Sequence, residues 1–460
     1  MSTELHEQLR DLAAEAPAPT AGGADGLWRA GKQRQRRRTA AGAVAAFAVV
    51  AAGVGGVGAM LPRDADRYVP PAATNGAGAL PDELHVPPRW TEPNEKAPVG
   101  PMAALLTAGT GWSGSTHYVG VSATTGEYRT IDLPDGVAPE SGPLDPDSVL
   151  SPSGRYIAYW LADNKAGARD VDVPGPPLTG IAVYDTTTGK VTRHEITSPH
   201  GLSAWDLVWV DDARLYLQAG EIQGAAGTDK ASSSRTSGAG WIWDVEDATS
   251  GWSAFAAPRV GKVASVIASD GHGRLVVDLN GRGKKHLLVD LTGTPRSTPI
   301  AVGFGPYDAT SSPMRASRDG SVALAASDDQ GARLVVSRPD GRHRSWPKVR
   351  AYSLFGWAGG TQVVAGVSPD GSADFRATIV SVDTTTGETK PLIALPHAQL
   401  NTPDLATDLL SAAPVHRPDP RTTLNTLWVS PVLVGLVLAG LVPLLAVLGL
   451  GVLRRRRVRG

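Results

Sequence analysis

The chain has 460 residues, 42% hydrophobic and 19% charged, with a formal net charge of −1 and no cysteine. That length and apolar content suffice for a sizeable core. The missing cysteine excludes disulfides, thiolate metal sites, a lipid-bearing cysteine and a cysteine nucleophile, so an exported domain of this chain must be held by packing alone.

Residues 1–38 read as a cytoplasmic segment. After Thr3 as a cap, Leu5, Leu9 and Leu12 fall on one side of a helix, with Glu4, Glu7, Arg10 and Asp11 elsewhere. That face suits docking to a cytosolic partner; the plainer alternative is a frayed polar tail. Arg29, Lys32, Arg34, Arg36, Arg37 and Arg38 then precede an uncharged apolar stretch, 39–61. A second such stretch, 431–453, is followed by Arg454–Arg457 and Arg459 in a basic tail, 454–460. Each gives about 34 Å of helix, enough to cross a hydrocarbon core of about 30 Å. Basic flanks stay cytoplasmic, so the expected topology is a cell-membrane protein with both termini inside and everything between the spans extracytoplasmic. Membrane lipids are then partners of both helices. Trp428 at the outer edge of the second span and Ser430-Pro431 as its cap and first turn agree with this direction. The rival for the first span is a cleavable signal ending near Val57-Gly58-Ala59, against which stand its long apolar region and the 38 residues ahead of it.

Between the spans the composition turns acidic, which disfavours nucleic acid as a partner. Residues 62–100 are rich in Pro, Ala and Gly and read as a linker, and 413–430 as a second linker back to the membrane. Residues 101–412 show short β-branched or aromatic runs between Gly, Asp, Pro and Thr turns, an all-β pattern. Ile181-Ala182-Val183-Tyr184-Asp185 followed by Thr186-Thr187-Thr188-Gly189 recurs as Ile379-Val380-Ser381-Val382-Asp383 followed by Thr384-Thr385-Thr386-Gly387. Hairpin-like stretches beginning near Trp241, His286 and Arg333 fall between the copies, and an earlier one spans Tyr118 to Ile131. The steps average about 50 residues, the period of propeller blades, which predicts a six-bladed β-propeller.

A second element precedes several hairpins: Ser151-Pro152-Ser153-Gly154-Arg155 before Tyr156–Trp160, Ser317-Arg318-Asp319-Gly320-Ser321 before Val322–Ala326, and more loosely Asp211–Arg214 and Asp270–Arg274. Asp or Ser caps a tight turn and Gly takes the left-handed position. This repeated turn and strand resembles the WD40-like repeats of TolB-type β-propellers of bacterial proteins, over about residues 100–412. A ring of blades needs its ends joined, and the stretch Leu405 to Leu410 is placed to pair with Met102 to Thr107.

No residue type in any spacing points to catalysis, a cofactor or a metal. Gly111-Trp112-Ser113-Gly114-Ser115 lacks the last glycine of a nucleophile elbow, and a propeller-bearing serine peptidase would need an α/β catalytic domain that the remaining length is expected not to hold. His194, His200, His272, His286, His343 and His397 are scattered, and Asp163-Asn164-Lys165 and Asp278-Leu279-Asn280-Gly281 lack the further ligands of calcium loops. Trp160, Trp205, Trp209, Trp241, Trp243 and Trp252 suit either wedges between blades or a glycan-stacking surface. The expectation is therefore a non-enzymatic, membrane-anchored binding or sensing module of the cell envelope, with Gly-, Ser- and Ala-rich loops at 161–180 and 220–240 presented to an envelope ligand. Two alternatives stand beside it. One is a transmembrane regulator signalling through the N-terminal helix, since the order of parts is similar to that of membrane-spanning anti-sigma factors of high-GC bacteria, without their zinc motif. The other is an envelope enzyme using the propeller channel.

Overall fold

The computed structural model describes residues 78–420, except 89–90, 95–97, 111–114, 140–147, 164–175, 225–230, 236–238, 248–250, 257–264, 280–285, 302–313, 329–330, 368–377 and 396–402. Both predicted spans, the N-terminal segment and the basic tail lie outside the described residues. Among the described residues no helix is long and apolar enough to cross a membrane.

The alternating apolar runs all form strands. In chain order these are β1 (Glu92–Pro93), β2 (Met102–Thr110), β3 (Ser115–Ser122), β4 (Tyr128–Ile131), β5 (Ser148–Leu150), β6 (Tyr156–Ala162), β7 (Leu178–Asp185), β8 (Val191–Glu195), β9 (Leu202–Trp209), β10 (Arg214–Gly224), β11 (Ala231–Arg235), β12 (Ala239–Asp244) and β13 (Trp252–Ala254). There follow β14 (Ser265–Ser269), β15 (Arg274–Asp278), β16 (His286–Asp290), β17 (Arg296–Ile300), β18 (Met314–Ala316), β19 (Val322–Asp328), β20 (Gly331–Ser337), β21 (His343–Trp346), β22 (Ala351–Ala358), β23 (Gln362–Val367), β24 (Thr378–Asp383), β25 (Thr389–Ala394) and β26 (Asp404–Leu405). Hydrogen bonding sorts them into sheets ordered β1-β4-β3-β2-β26, β14-β15-β16-β17, β18-β19-β20-β21 and β22-β23-β24-β25, with a nine-stranded sheet built on β13-β12-β10-β9-β7-β6-β5. The nine-stranded sheet is two meanders, with β8 on β7 and β11 on β10, joined through the single pair Leu178↔Leu202. The predicted loop 220–240 is largely strand, because β10 continues to Gly224 and β11 folds back on it.

Apolar clusters fill the gaps between successive sheets and return to the start. Tyr118 and Ile131 pack with Ile157 and Tyr159, Trp160 with Trp209 and Leu217, and Tyr216 with Leu275 and Val277. Val276 packs with Met314 and Leu324, Leu334 with Leu354 and Val363, and Val364 and Ile379 with Ala104 and Val119. Small antiparallel sheets arranged so that each packs on two neighbours form a β-propeller. Every fully buried aliphatic side chain in these seams contributes about 1.5–3 kcal/mol of transfer free energy.

The ring closes where β26 pairs antiparallel with β2, Leu405 opposite Ala104 and Asp404 opposite Leu105. The predicted stitch is in the right place but shorter than expected. Residues Thr407–Ser411 form a 3-10 helix. The ladder runs out because β2 starts at Met102: Ala406 N still donates to Ala103 O, but Met102 N already donates to Gly154 O of the next blade.

In an antiparallel meander alternate connections emerge at opposite ends. The turns at 151–155, 210–213, 270–273 and 317–321 therefore share one edge with those at 123–127, 186–190 and 384–388. The strand ends that flank the long connections 163–177, 255–264, 301–313 and 395–403 lie at the other. Both ends of the described chain come to the turn edge. Ala79 N donates to Ala123 O, Arg417 Nη2 to Thr124 O at 2.8 Å, and Asp82 N and Val415 N cross-pair with Val415 O and Leu80 O. Residues 79–88 and 91–94, within the stretch 62–100 read from the sequence as linker, are part of the domain. Leu80 and Leu84 are fully buried, and β1 pairs parallel with β4.

Candidate functional site at the inner wall of the ring

The innermost strand of each sheet has a free edge facing the axis, and unpaired backbone groups there need partners. Side chains from neighbouring inner strands supply them. Trp209 Nε1 on β9 donates to Val149 O on β5 at 3.0 Å, and Ser269 Oγ on β14 donates to Trp209 O at 2.8 Å. Leu150 N on β5 donates to Asp404 Oδ2 on β26 at 2.6 Å. Arg315 Nε on β18 donates to Phe355 O on β22 at 3.3 Å, and Trp357 Nε1 on β22 returns a bond to Arg315 O at 3.1 Å. The Asp206 carboxylate on β9 accepts from the Val266 amide on β14.

Three charged side chains thus sit on the inner wall: Asp206, Arg315 and Asp404. Burial pushes Asp206 up to about 6 against the pull of the Val266 amide. Burial also raises Asp404, offset by the Leu150 amide and by Arg315, and lowers Arg315, offset by Asp404. Each lies two to four residues before the turn that ends its strand, so all three are near one level, just inside the turn edge.

That edge is closed over the axis by the 3-10 helix. Asp408 N donates to Pro152 O, and Asp408 Oδ1 lies 3.5 Å from His272 Nε2. Glycines permit the close fit: a Cβ on Gly271 would meet Pro152 Cγ at 3.0 Å and Thr407 Oγ1 at 3.3 Å, and one on Gly356 would meet Leu410 Cδ1 at 2.7 Å. Turns from well-separated blades and the closing segment therefore converge on one mouth of the ring, leaving the long-connection edge as the other.

The motifs singled out in the sequence do not assemble. Among the described residues no cluster of His, Asp and Glu could hold a metal ion. Residues 111–114 of the serine motif, His397, and the second halves of both candidate calcium loops lie outside the described residues. Asp278 is a buried strand residue. Trp160, Trp209 and Trp243 are wedges with exposures of 5% or less, Trp205 is exposed, and Trp252 stacks on His194 at 3.9 Å. The inner-wall charges were missed. Their signal is a lone charge in an apolar strand just ahead of a turn, as in Met314-Arg315-Ala316 before Ser317.

Asp206 gives a pH prediction. Because the folded state raises its pKa, it holds the proton more tightly than the unfolded chain, so its contribution favours folding below about pH 4 and is lost as pH rises through about 6. Asp206→Asn keeps an acceptor for the Val266 amide. The variant should be more stable than the parent by about 1–3 kcal/mol at pH 7.5 and equal to it near pH 4. Denaturant unfolding at the two pH values checks this, and a pH-independent difference would assign the effect elsewhere.

No protein-family model matches the chain, and no curated protein matches it. Among solved structures it is similar to TolB from Acinetobacter baumannii, at 13% identity over 66% of each chain with a TM-score of 0.39. It is similar to the β-propeller domain of the Trilobed protease from Pyrococcus furiosus, at 13% identity over 62% of this chain and 91% of that one, TM-score 0.32. It is also similar to dipeptidyl peptidase 4 from Porphyromonas gingivalis, at 12% identity over 60% of this chain and 42% of that one, TM-score 0.33. The chain spans 42% and 38% of the length of the first peptidases it matches. The expectation of a non-enzyme is corrected by this comparison. The similar structures are mostly peptidases, so repeats of this kind do not set a chain apart from enzymes. At these identities and TM-scores the likeness carries no argument for peptidase activity either.

Proposed function

We propose that this chain is a membrane-anchored protein whose six-bladed β-propeller lies outside the cell membrane and acts as a binding or sensing module of the cell envelope, taking its ligand at the long-connection edge. The observation that carries this reading is the inequality of the two edges. One is sealed by short turns and the 3-10 helix and also receives both ends of the described chain. The other carries the long connections, the usual place for recognition on a rigid scaffold. The count of six blades is supported by the division of the nine-stranded sheet into two meanders and by the cycle of apolar seams. Membrane anchoring is supported by the two uncharged spans with their outer arginine clusters.

The test uses the absence of native cysteine. The purified full chain is screened on an array of cell-wall glycans and peptides. It then carries a bulky maleimide label either at Gly227→Cys, in the connection between β10 and β11, or at Lys190→Cys, in an exposed turn on the sealed edge. Binding should fall at least tenfold with the first label and stay unchanged with the second. No binding to any fragment, or equal loss with both labels, would reject the reading.

A further inference from the structure

The sheets of the ring end on the outer wall in strands with one unpaired edge, and such an edge is a template for a further strand. Most of these edges are blunted. β4 is covered by β1, which itself ends in Pro93, and β17 and β25 carry Pro299 and Pro391, which cannot donate to a ladder. β13 has only three residues, and β8 carries one charge of each sign, Glu195 and Arg193, the latter paired with Asp135 at 2.7 Å. β21, His343–Trp346, differs from all of these: it ends its sheet, contains no proline, and among the described residues no strand lies beyond it.

The charge along this edge is of one sign. From Arg342 to Arg350 the chain holds four cations, Arg342, Arg344, Lys348 and Arg350, all exposed, and no carboxylate, within a stretch between the spans that is acidic overall. Arg344 is held in place: its guanidinium lies 5.5 Å from the centre of the Trp346 ring and donates through Nη1 to Thr385 O of the neighbouring blade. Arg342 is 85% exposed and pairs with Asp340, and an exposed pair of this kind is weak enough for another carboxylate to share. Charge alone deters a second copy of the same edge, but a cluster of one sign also attracts a strand of the opposite sign. Arg342 and Arg344 are two residues apart, the period at which an extended chain returns its side chains to one side. An added strand with a carboxylate at every second residue therefore meets them in step.

We propose that β21 is a docking edge for an extended acidic segment of a partner protein, which adds to the sheet as a further strand and sets its carboxylates against Arg342, Lys348 and the cations around them. Charge alone would suit any polyanion. The free main-chain edge selects a peptide, because its row of N–H and C=O groups is matched by another extended backbone and not by a glycan or a phosphate polymer. The surface lies on the outer wall, apart from the ligand edge proposed above, so neither reading depends on the other.

The experiment titrates the purified full chain with a short peptide of alternating valine and glutamate, with its lysine counterpart, with an acidic form in which every valine is proline, and with inorganic polyphosphate. Hydrogen exchange is followed in the segment 343–346. The valine-glutamate peptide should bind and slow exchange in that segment at least tenfold, and the lysine and proline forms should bind at least tenfold more weakly. Arg342→Glu combined with Lys348→Glu, both at exposed positions, should weaken binding at least tenfold, while Lys190→Glu, in an exposed turn of another blade, should leave it unchanged. Unaltered exchange in the other strands of these variants shows that the fold is kept. No binding at about 1 mM peptide, no protection of 343–346, equal binding of the proline form, or equal loss in Lys190→Glu would overturn the proposal. Polyphosphate binding as tight as that of the peptide, with the same loss in the double variant, would make β21 a general anion surface and would overturn strand addition.

Discussion

Gly154→Ala should destabilise the folded chain by about 3–5 kcal/mol, against about 1 kcal/mol for Gly359→Ala. Both glycines have positive φ, +76° and +68°, so both replacements meet the same left-handed strain. Their surroundings differ. A Cβ on Gly359 meets nothing within 4 Å, whereas one on Gly154 falls 1.9 Å from Met102 O and 3.0 Å from Met102 N. That neighbour is the backbone at the start of β2, which cannot swing aside as a side-chain end would. The turn must move instead, and it is held by Met102 N donating to Gly154 O at 2.8 Å and by Thr186 Oγ1 donating to Arg155 O at 2.8 Å. Losing these loosens the seam beside the closing strand. Chemical denaturation of both variants checks the prediction, and equal midpoints would mean that the turn is not packed on β2.

The local grammar of this fold was legible because short segments determine it. Asp185 Oδ1 accepts from the Thr187 and Thr188 amides and Gly189 has φ +73°; Asp383 Oδ1 accepts from the Thr385 and Thr386 amides and Gly387 has φ +79°. The repeated Asp-Thr-Thr-Thr-Gly thus folds the same way twice, and the Thr386 and Thr385 amides hold Asp383 below the usual carboxylate range. The hairpins predicted near Trp241, His286 and Arg333 are present for the same reason.

What the sequence hid is non-local. The bond from Leu150 N to Asp404 spans 254 positions, and nothing periodic marks either residue for the other. The burial of Leu80 and Leu84 was masked by surrounding Pro, Ala and Gly, a composition that reads as linker whether or not a neighbouring sheet offers a seam. The length of the closing strand was set by its partner, since the next amide of β2, Met102 N, is already bonded to Gly154 O. The inner-wall charges escaped because a single Arg or Asp in an apolar strand is silent until the ring brings inner strands together.

Ring closure by β26 governs all of this: the seam beside β2, the sealing of one edge and the placing of Asp404. A cysteine pair tests it directly, because the chain has no other thiol. Ala104 and Leu405 are opposite partners in an antiparallel ladder, a geometry that puts Cα atoms about 4.5–5.5 Å apart and within disulfide reach. Full chain carrying Ala104→Cys and Leu405→Cys should form an intramolecular disulfide on mild oxidation, seen as a monomer of altered mobility on a non-reducing gel. The oxidised form should be more stable than the reduced form by about 2–4 kcal/mol. Free thiols after oxidation, or cross-links formed only between chains, would contradict a ring closed by this strand.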